Sequence, residues 1–345
     1  MMNKLLQWLN AHALTVAIIV GALGYGVFRI GKPLLPPLIF MMLFFTFCKV
    51  NPLDLRLHKW HWIALACQLL LAVSSYFLTL KIGKIWHGND EALRVIAQSV
   101  MLCFIMPTAT AAPIIAGKLG GSIQNLTTFT LLSNFATAIV VPLFFPIVNP
   151  MADMSFFQAF LIILRKVGPL LMGPFVAAWF LRLVYEAYWR QKGEPKVFAL
   201  NRKWAQLPFY IWTCTIIILT GDMTDTLVHG EYSWWTLVLI LAIACITCAL
   251  QFVLGWYIGQ GAPATSHGMD YQDVVINPAT APTTPSGISR VTAGQALGQK
   301  NTTLAIWMAQ TYLMPLVGLA PALYMIVQNF FNSWQLSQAA KGIKR

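Results

Sequence analysis

Two of the long apolar segments in this chain are interrupted midway by residues that a lipid-facing helix does not tolerate. The first, ALRVIAQSVMLCFIMPTATAAPIIAGKLGG, contains Pro107 and Pro113. The second, RVTAGQALGQKNTTLAIWMAQ, contains Gly298, Gln299 and Lys300. Lipid cannot form hydrogen bonds with freed peptide groups, so non-helical backbone at membrane depth persists only inside protein or beside a wet cavity. The two interruptions therefore predict a polar interior.

The composition places the rest of the chain in a membrane. Of the 345 residues, 58% are hydrophobic and only 10% are charged, a balance that cannot pack as one water-soluble core. Apolar segments near the roughly 20 residues needed to cross a bilayer lie at 11–30, 34–49, 61–80, 93–117, 124–148, 167–188, 204–221, 234–258, 291–312 and 313–335. The sequence predicts an all-α membrane protein with one transmembrane domain over 1–345.

The positions of the interruptions divide this domain into two halves. Splitting the segments into 1–150 and 151–345 makes each interrupted segment the fourth of its half. Because each half then crosses the membrane five times, the second half is expected to be an inverted repeat of the first. Such repeats share a site near the bilayer midplane that opens alternately to either side.

The distribution of Lys and Arg predicts the orientation. With both termini cytoplasmic, 15 of the 23 basic residues fall on cytoplasmic segments, seven fall outside, and Lys300 lies in the second interruption. This favours a cytoplasmic (inner) membrane protein beside anionic lipid, and makes nucleic acid an unlikely explanation of the +12 charge. The polar stretch 259–290 is expected to be a flexible cytoplasmic loop, or a gate over the cytoplasmic mouth.

Three stretches, PTATAAP, GQALGQKNTTLA and PALYMIVQNFFNSWQ, stand in the order and spacing of the bile acid:sodium symporter family. The chain resembles this family over most of its length. The resemblance implies ten transmembrane helices, divided into a panel and a core, whose broken fourth and ninth helices cross at their unwound centres. It also implies transport of an organic anion, either bile-acid-like or a small carboxylate, commonly together with sodium.

The resemblance also implies the site residues, which are positions at the crossing and on the helices beside it. The implied substrate-binding residues are Thr108, Thr110, Asn301, Thr302, Gln328 and Asn329. The implied ion-coupling residues are Gln68, Thr130, Asn134, Gln295, Gln299 and Lys300. For Gln68, Gln328 and Asn329 the alternative is simple packing, because a lone amide in a membrane helix often bonds a neighbouring helix.

At several of these positions the chain departs from the family pattern, which indicates a bacterial-type member with divergent sodium sites. Ala112 and Pro113 stand where the family has a Ser-Asn pair, Ala296 stands where it has a sodium-binding Glu, and Lys300 replaces a glutamine. At about 4 Å and an effective dielectric near 20, an ammonium repels a cation by about 4 kcal/mol. Lys300 is therefore expected to replace one cation, or to titrate and couple transport to protons. Alternatively, it pairs with a carbonyl or extends from a helix end without a transport role.

The function predicted from these features is secondary active transport of an organic anion, with coupling to sodium or to protons left open. No cofactor is expected apart from a possible sodium ion. The alternatives are a transporter-like membrane sensor and an intramembrane enzyme, but an enzyme needs a nucleophile with a base, or paired acids, at membrane depth. Asp222, Asp225 and Glu231 are expected instead to form a solvated rim in an outer loop.

Overall fold

The structure is a computed structural model that describes residues 13–85, 90–150, 154–193, 196–261 and 285–340. All regular elements in these ranges are helices. Six helical stretches are long and apolar enough to cross a membrane: Tyr25–Phe47, Lys59–Lys84, Ile123–Val148, Phe156–Gln191, Gln206–His229 and Trp234–Ile258. The prediction of an all-α membrane protein is confirmed at this level.

Thirteen α-helices are seen in the described residues. In chain order they are α1 (Ala13–Leu23), α2 (Tyr25–Phe28), α3 (Leu35–Phe47), α4 (Lys59–Ile85), α5 (Asp90–Ile105), α6 (Ala112–Lys118), α7 (Ile123–Val148), α8 (Phe156–Gln191), α9 (Arg202–His229), α10 (Trp234–Ile258), α11 (Pro285–Gly298), α12 (Thr302–Tyr312) and α13 (Leu319–Ala340). Short 3-10 turns lie at Arg29–Leu34, Pro52–Asp54, Gly259–Gly261 and Pro315–Gly318. The two interrupted segments of the sequence correspond to the pair α5 and α6 and to the pair α11 and α12.

Helix α8 begins eleven residues before the apolar segment predicted at 167–188. Ser155 and Gln158 form a capping box, in which each side chain bonds the backbone of the other, and this fixes the N-terminus of the helix. The first three turns bury Ala159 and Ile163 and expose Arg165 and Lys166. The average hydropathy of the sequence does not reveal these turns, because the exposed charged residues offset the hydropathy of the buried apolar residues.

Two of the three acids predicted in an outer loop lie in the last turns of α9. Asp225 accepts from Arg29 at 3.0 Å to both carboxylate oxygens, and Asp222 pairs with Lys32 at 3.0 Å. The loop prediction is wrong for these two residues and holds for Glu231, which lies between α9 and α10. Within the helix, both acids pair with basic residues on the turn before α3.

The predicted flexible loop at 259–290 is only partly described. Residues 262–284 lie outside the described residues. At the two ends, Gly259–Gly261 form a 3-10 turn and α11 begins at Pro285. The loop prediction is therefore wrong for 285–290, which belong to the first turns of α11, where Pro at the N-terminus is favoured because its missing N–H costs nothing there.

Equivalent helices of the two halves make equivalent contacts. Helix α4 packs along α5, and α10 packs along α11. Helix α7 contacts α6 and, across the halves, α11, while α13 contacts α12 and, across the halves, α5. Helices α1, α3, α8 and α9 form a second group, in which α1 packs on α9 and α3 packs on both α8 and α9. This arrangement places both helix breaks in the interior of the larger group.

Candidate functional site

The two interruptions meet inside the molecule. Between α5 and α6 and between α11 and α12 the chain is extended, and Thr108 forms an isolated antiparallel β-bridge with Lys300. The two backbone hydrogen bonds of this bridge run from Ala109 N to Gln299 O at 2.9 Å and from Asn301 N to Pro107 O at 2.8 Å. We call these two non-helical stretches, 106–111 and 299–301, the helix crossing; Thr110 and Ala111 form the turn that leads into α6. The paired bonds satisfy backbone groups that both breaks would otherwise leave free.

The side chains of the two bridge residues make reciprocal contacts. The Thr108 hydroxyl donates to the carbonyl of Ala296 at 2.7 Å, and the Lys300 ammonium donates to the carbonyl of Phe104 at 3.4 Å. Each acceptor lies four residues before the bridge residue on the opposite strand. The crossing therefore has a local two-fold symmetry in these side-chain contacts as well as in its backbone. The two contacts differ in the donor, which is a hydroxyl on one strand and an ammonium on the other.

The backbone amides of the bridge residues follow the same two-fold pattern. Thr108 N donates to the hydroxyl of Ser133 on α7 at 3.2 Å, and Lys300 N donates to the side-chain carbonyl of Gln328 on α13 at 2.9 Å. Gln328 also donates its amide to the carbonyl of Lys300 at 3.2 Å. The last helix of each half thus holds the extended stretch of its own half in place.

The C-terminal end of α5 is a cluster of carbonyls whose partners come from four other parts of the chain. A helix end leaves its last four carbonyls without intrahelical partners, and buried carbonyls need donors. The side-chain donors are Gln251 to Cys103 O at 3.1 Å, Lys300 to Phe104 O at 3.4 Å, Thr137 to Ile105 O at 3.3 Å and Gln68 to Met106 O at 3.0 Å. This carbonyl end is therefore the point at which α4, α7, α10 and the second crossing strand converge.

Lys300 lies at this negative helix end without a carboxylate. Its side chain is 1% exposed, and within the described residues no ion pair includes it. Cations are favoured at helix C-termini, where the partial charge of the peptide dipoles is negative. The helix end is thus the main electrostatic partner of the ammonium.

The predicted substrate residues fall into two groups. Thr108, Thr302 and Gln328 are buried, and the polar groups of Thr108 and Gln328 are used within the crossing. Thr110 and Asn329 are half-buried, and Asn329 donates to Met325 O in its own helix at 2.8 Å. The structure therefore leaves Thr110 and Asn329 as the members of this set with accessible surface.

Asn301 combines two features of an anion site. Its side-chain oxygen accepts from Leu304 N at 3.2 Å and so caps α12. Its side-chain Nδ2 is buried and has no hydrogen-bond partner in the described part of the chain. An unpaired donor at the N-terminus of a helix presents both a hydrogen bond and the positive end of a dipole.

The predicted ion-coupling residues are all buried, but they lie in three places. Gln68 and Lys300 contact the α5 carbonyls as described above. Thr130 and Asn134 bond within α7: the hydroxyl donates to Leu126 O at 2.9 Å and the Asn134 amide donates to Thr130 O at 2.7 Å. Gln299 donates to Gln295 at 2.8 Å along the α11 end of the crossing. The structure thus brings Gln68, Gln299 and Lys300 to the crossing. Thr130 and Asn134 bond within α7, on the helix face that also carries Ser133, and the Oδ1 of Asn134 has no partner among the described residues.

Several residues of the site were not predicted from the sequence. Ser133, Thr137, Gln251, Tyr324 and Asn332 are buried around the crossing. Tyr324 donates to Gly298 O at 2.8 Å and accepts from Gln251 at 3.1 Å. A periodicity signal was present, because Tyr324, Gln328 and Asn332 recur at intervals of four on α13 and Ser133 and Thr137 do so on α7. Polar residues on the buried face of an apolar helix mark the face that meets the crossing.

The geometry describes a buried polar centre with one lysine, a carbonyl cluster and an unpaired amide donor. The chain matches no protein-family model and shows no significant similarity to any curated protein. The site therefore rests on its residues alone. Its chemistry suits reversible binding of a polar or anionic molecule, because the groups at its centre are donors, carbonyls and one ammonium.

Proposed function

We propose that this chain is a secondary active transporter of an organic anion, a bile-acid-like molecule or a small carboxylate, that works by alternating access. The observation that carries the proposal is the reciprocal contact between Thr108 and Lys300 at the helix crossing. Discontinuous helices that meet at membrane depth are typical of secondary transporters, where they form the binding site for solute and ions. The bile acid:sodium symporter resemblance of the PTATAAP and GQALGQKNTTLA stretches supports the same class.

The proposal includes an architecture of ten transmembrane helices in two inverted five-helix repeats. The equivalent contacts of the two halves support it: α4 with α5 corresponds to α10 with α11, and α7 with α11 corresponds to α13 with α5. The contact of α1 with α9 corresponds in the same way to that of α3 with α8. In this architecture α1, α3, α8 and α9 form the panel, and the remaining helices form the core that holds the crossing.

The anionic part of the substrate is proposed to bind at the N-terminus of α12. Asn301 supplies the unpaired Nδ2 there, and the accessible hydroxyl of Thr110 lies across the crossing, two residues beyond the bridge residue Thr108. A carboxylate accepts hydrogen bonds and is favoured at the positive end of a helix dipole by about 0.3–1 kcal/mol. Thr302, Gln328 and Asn329 complete the proposed substrate residues, of which Asn329 is half-buried.

The coupling cation is proposed to be replaced by the Lys300 ammonium. A mobile cation at the C-terminal end of α5 would need the carbonyl of Phe104, which already accepts from Lys300. A second positive charge about 4 Å away would be repelled by about 4 kcal/mol. Sodium is therefore proposed not to bind beside Lys300, and any ion coupling through Gln68, Thr130 or Asn134 would use a separate site or protons.

The substrate site is tested by a thermal-shift screen of the purified protein against organic carboxylates, because a ligand that binds only the folded state stabilises it. Asn301→Asp keeps the oxygen that caps α12, removes the Nδ2 donor and adds a charge that repels anions. We expect it to abolish the thermal shift produced by the best carboxylate. The matched control is Asn51→Asp, since Asn51 caps the Pro52–Asp54 turn through the same kind of bond. If the carboxylate still raises the melting temperature of Asn301→Asp, the proposed substrate site is contradicted. If proteoliposomes take up none of the stabilising anions, the proposed transport is contradicted.

The coupling proposal is tested by uptake with and without sodium. We expect uptake by the unaltered protein not to depend on sodium, and Lys300→Gln to slow it about tenfold, the equivalent of about 1.4 kcal/mol, because the fixed charge is lost. Sodium should then restore part of the rate in Lys300→Gln, since the carbonyl of Phe104 becomes available. Sodium-dependent uptake by the unaltered protein, or unaltered rates in Lys300→Gln and Lys300→Met, would contradict this assignment.

The proposed location is the cytoplasmic (inner) membrane, with both termini inside and anionic lipid beside the basic segments. The Lys and Arg asymmetry of the sequence supports this orientation, because basic residues near membrane segments remain cytoplasmic. The cation–π contacts of Lys192 with Tyr188 and of Lys196 with Trp189 are typical of an aromatic and basic membrane interface. A terminal tag that is cleaved by protease in right-side-out vesicles would contradict the orientation.

A further inference from the structure

Polar side chains form one stripe on the face of α13 that is directed at the crossing. Tyr324, Gln328, Asn332 and Gln335 are spaced four, four and three residues apart, so they lie above one another on a single helix face. On other faces of the same helix, Ile326 and Phe330 are exposed. In a membrane helix this pattern directs the polar stripe inward and the apolar residues to lipid. A stripe of this length extends well beyond the crossing itself.

Three members of the stripe bond the second crossing strand or α11. Tyr324 bonds Gly298 and Gln328 bonds the backbone of Lys300, as described above. Further along, Gln295 donates to the side-chain oxygen of Gln335 at 2.6 Å. Gln295 in turn accepts from Gln299 at 2.8 Å. We refer to Gln295, Gln299, Gln328, Asn332 and Gln335 as the amide ladder.

Asn332 is the gap in this ladder. Asn332 lies between the contacts of Gln328 and Gln335 and is 4% exposed. Neither its Oδ1 nor its Nδ2 has a hydrogen-bond partner among the described residues. A buried amide without partners costs about 1–3 kcal/mol per polar atom. Leucine would fill a similar volume at no such cost. The position therefore indicates a partner that can both donate and accept, as water does.

The polar stripe of α13 is buried at the crossing and becomes accessible only near the C-terminal end of the helix. Tyr324 is fully buried, Gln328 and Asn332 are buried, and Gln335 near the C-terminal end of α13 is half-buried. Gln295 and Gln299 remain buried on the opposite side. Polar groups that continue from a buried centre to the surface can form hydrogen bonds with water along the whole distance. A hydrophobic interface cannot. The open end lies on the side that the Lys and Arg distribution assigns to the cytoplasm.

We propose that the amide ladder lines a hydrated path between α11 and α13, with water bound at Asn332, that connects the helix crossing to the cytoplasmic side. The ligand of this site is water, and any solute using the path must exchange hydrogen bonds with amides. The path deepens the proposed function, since transport would use it as an inner passage, but its hydration does not depend on which molecule is transported. Asn332 is its inner binding residue and Gln335 its outlet.

The path is tested by thiol accessibility. Asn332→Cys and the control Met325→Cys lie on the same helix, and both residues are 4% exposed, but Met325 packs in an apolar cluster with Ala17 and Ile216. In oriented vesicles, a small membrane-impermeant methanethiosulfonate should modify position 332 about tenfold faster than position 325, a difference of about 1.4 kcal/mol, and only from the side of Gln335. Peptide mass spectrometry separates these sites from native Cys214 and Cys245. Equal rates at 332 and 325, or equal reaction at 332 from both sides, would overturn the path.

A second measurement uses the unaltered protein, in case Asn332→Cys does not fold. X-ray hydroxyl-radical footprinting modifies side chains beside bound water. Tyr324 in the stripe is 0% exposed and Tyr76, which bonds Val148 O between α4 and α7, is 6% exposed. We expect Tyr324 to be modified more than Tyr76 despite its lower exposure, and the reverse order would overturn the proposal. The two proposals fail in different ways. If the cysteine at position 332 is labelled but the protein transports no anion, only the proposed function is overturned. If that cysteine is not labelled but uptake is intact, only the path is overturned.

Discussion

The two strands of the helix crossing make the same contacts with different chemistry. On the first strand Thr108 bonds Ala296 O with a neutral hydroxyl, and on the second Lys300 bonds Phe104 O with an ammonium. Both bridge residues also donate their backbone amides to a side chain of the last helix of their own half. The shared contacts show what two broken helices require of any sequence. The difference between the donors shows where this sequence adds a charge that the backbone alone does not need.

A second difference appears one helical turn beyond the amide acceptors. On α7, Thr137 follows Ser133 by four residues, and its hydroxyl lies 2.8 Å from Ser133 O and 3.3 Å from Ile105 O. On α13, Asn332 follows Gln328 by four residues and has neither of its polar atoms bonded within the described chain. The first half therefore closes its polar contacts completely at this position and the second half does not. Elsewhere on α7 the Oδ1 of Asn134 also has no hydrogen-bond partner among the described residues, so this contrast between the halves applies to the positions of Thr137 and Asn332.

The largest effect is expected where one side chain satisfies two backbone groups. Gln328→Leu would leave the buried N–H of Lys300 without a partner, at about 1–3 kcal/mol. It would also remove one of the two donors to the Lys300 carbonyl, which keeps Thr302 N at 2.9 Å, at about 0.5–1.5 kcal/mol more. Chemical unfolding in detergent measures this loss. The matched variant Asn329→Leu should cost under about 1 kcal/mol, because that amide bonds only its own helix. Similar losses in the two variants would remove the claim that the last helix holds the crossing.

Thr108 tests the first strand in the same way. Thr108→Val keeps the branched shape and removes the donor to Ala296 O, so we expect a loss of about 1–3 kcal/mol in the free energy of unfolding. Thr130→Val is the control, since the Thr130 hydroxyl bonds Leu126 O one turn before it on α7. That carbonyl keeps its helical hydrogen bond and the loss should stay near zero. A control that is as damaging as Thr108→Val would contradict the role of the crossing contact.

The contrast between Thr137 and Asn332 predicts that removing their polar groups changes the free energy of unfolding in opposite directions. Thr137→Val removes a hydroxyl whose single proton lies between Ser133 O at 2.8 Å and Ile105 O at 3.3 Å, so it should destabilise the fold by about 0.5–1.5 kcal/mol. Asn332→Leu replaces a buried amide without protein partners by an apolar group and should leave stability unchanged or raise it by about 1 kcal/mol. Both are read from the same unfolding curves. A clear loss of stability in Asn332→Leu would mean that the amide already has a strong partner within the fold.

The smallest effect is expected far from the crossing, at the ion pairs between the turn before α3 and α9. Arg29 bonds both oxygens of Asp225, but half of its side chain is exposed. Water and salt screen such pairs, so Arg29→Ala should cost less than about 1 kcal/mol, and less again at high salt. A loss as large as that of Thr108→Val would show that the outer ion pairs, rather than the crossing, organise the fold.

The breaks could be predicted from sequence because their cause is local. Pro107, Pro113 and Gly298 alter the backbone wherever they occur, and Lys300 is conspicuous in an apolar segment. The start of α8 could not be predicted from average hydropathy, because the capping box at Ser155 acts through two specific hydrogen bonds. Asp222 was assigned to a loop because its charge suggested solvent, whereas Lys32 neutralises it within α9.

The partners of the crossing could not be predicted, because they come from distant positions and are ordinary residues for membrane helices. Ser133 lies 25 residues from Thr108, and Gln251 lies 148 residues from Cys103. A hydroxyl or amide side chain in an apolar helix can bond its own helix instead of a neighbouring one, as Thr130 and Asn134 do here. Only the packing of α7 and α10 around the end of α5 decides which of them reach the crossing.

The most direct measurement of the central claim is a cross-link between the two bridge residues. In an antiparallel bridge of this hydrogen-bond pattern the paired Cα atoms lie about 4.5 Å apart, within the range of about 4.4–6.8 Å that disulfides span. The double variant Thr108→Cys with Lys300→Cys should therefore form a disulfide between positions 108 and 300 on mild oxidation, identified by peptide mass spectrometry. Failure of these two positions to link in the folded protein, with each cysteine remaining free or pairing elsewhere, would contradict a crossing of the two broken helices.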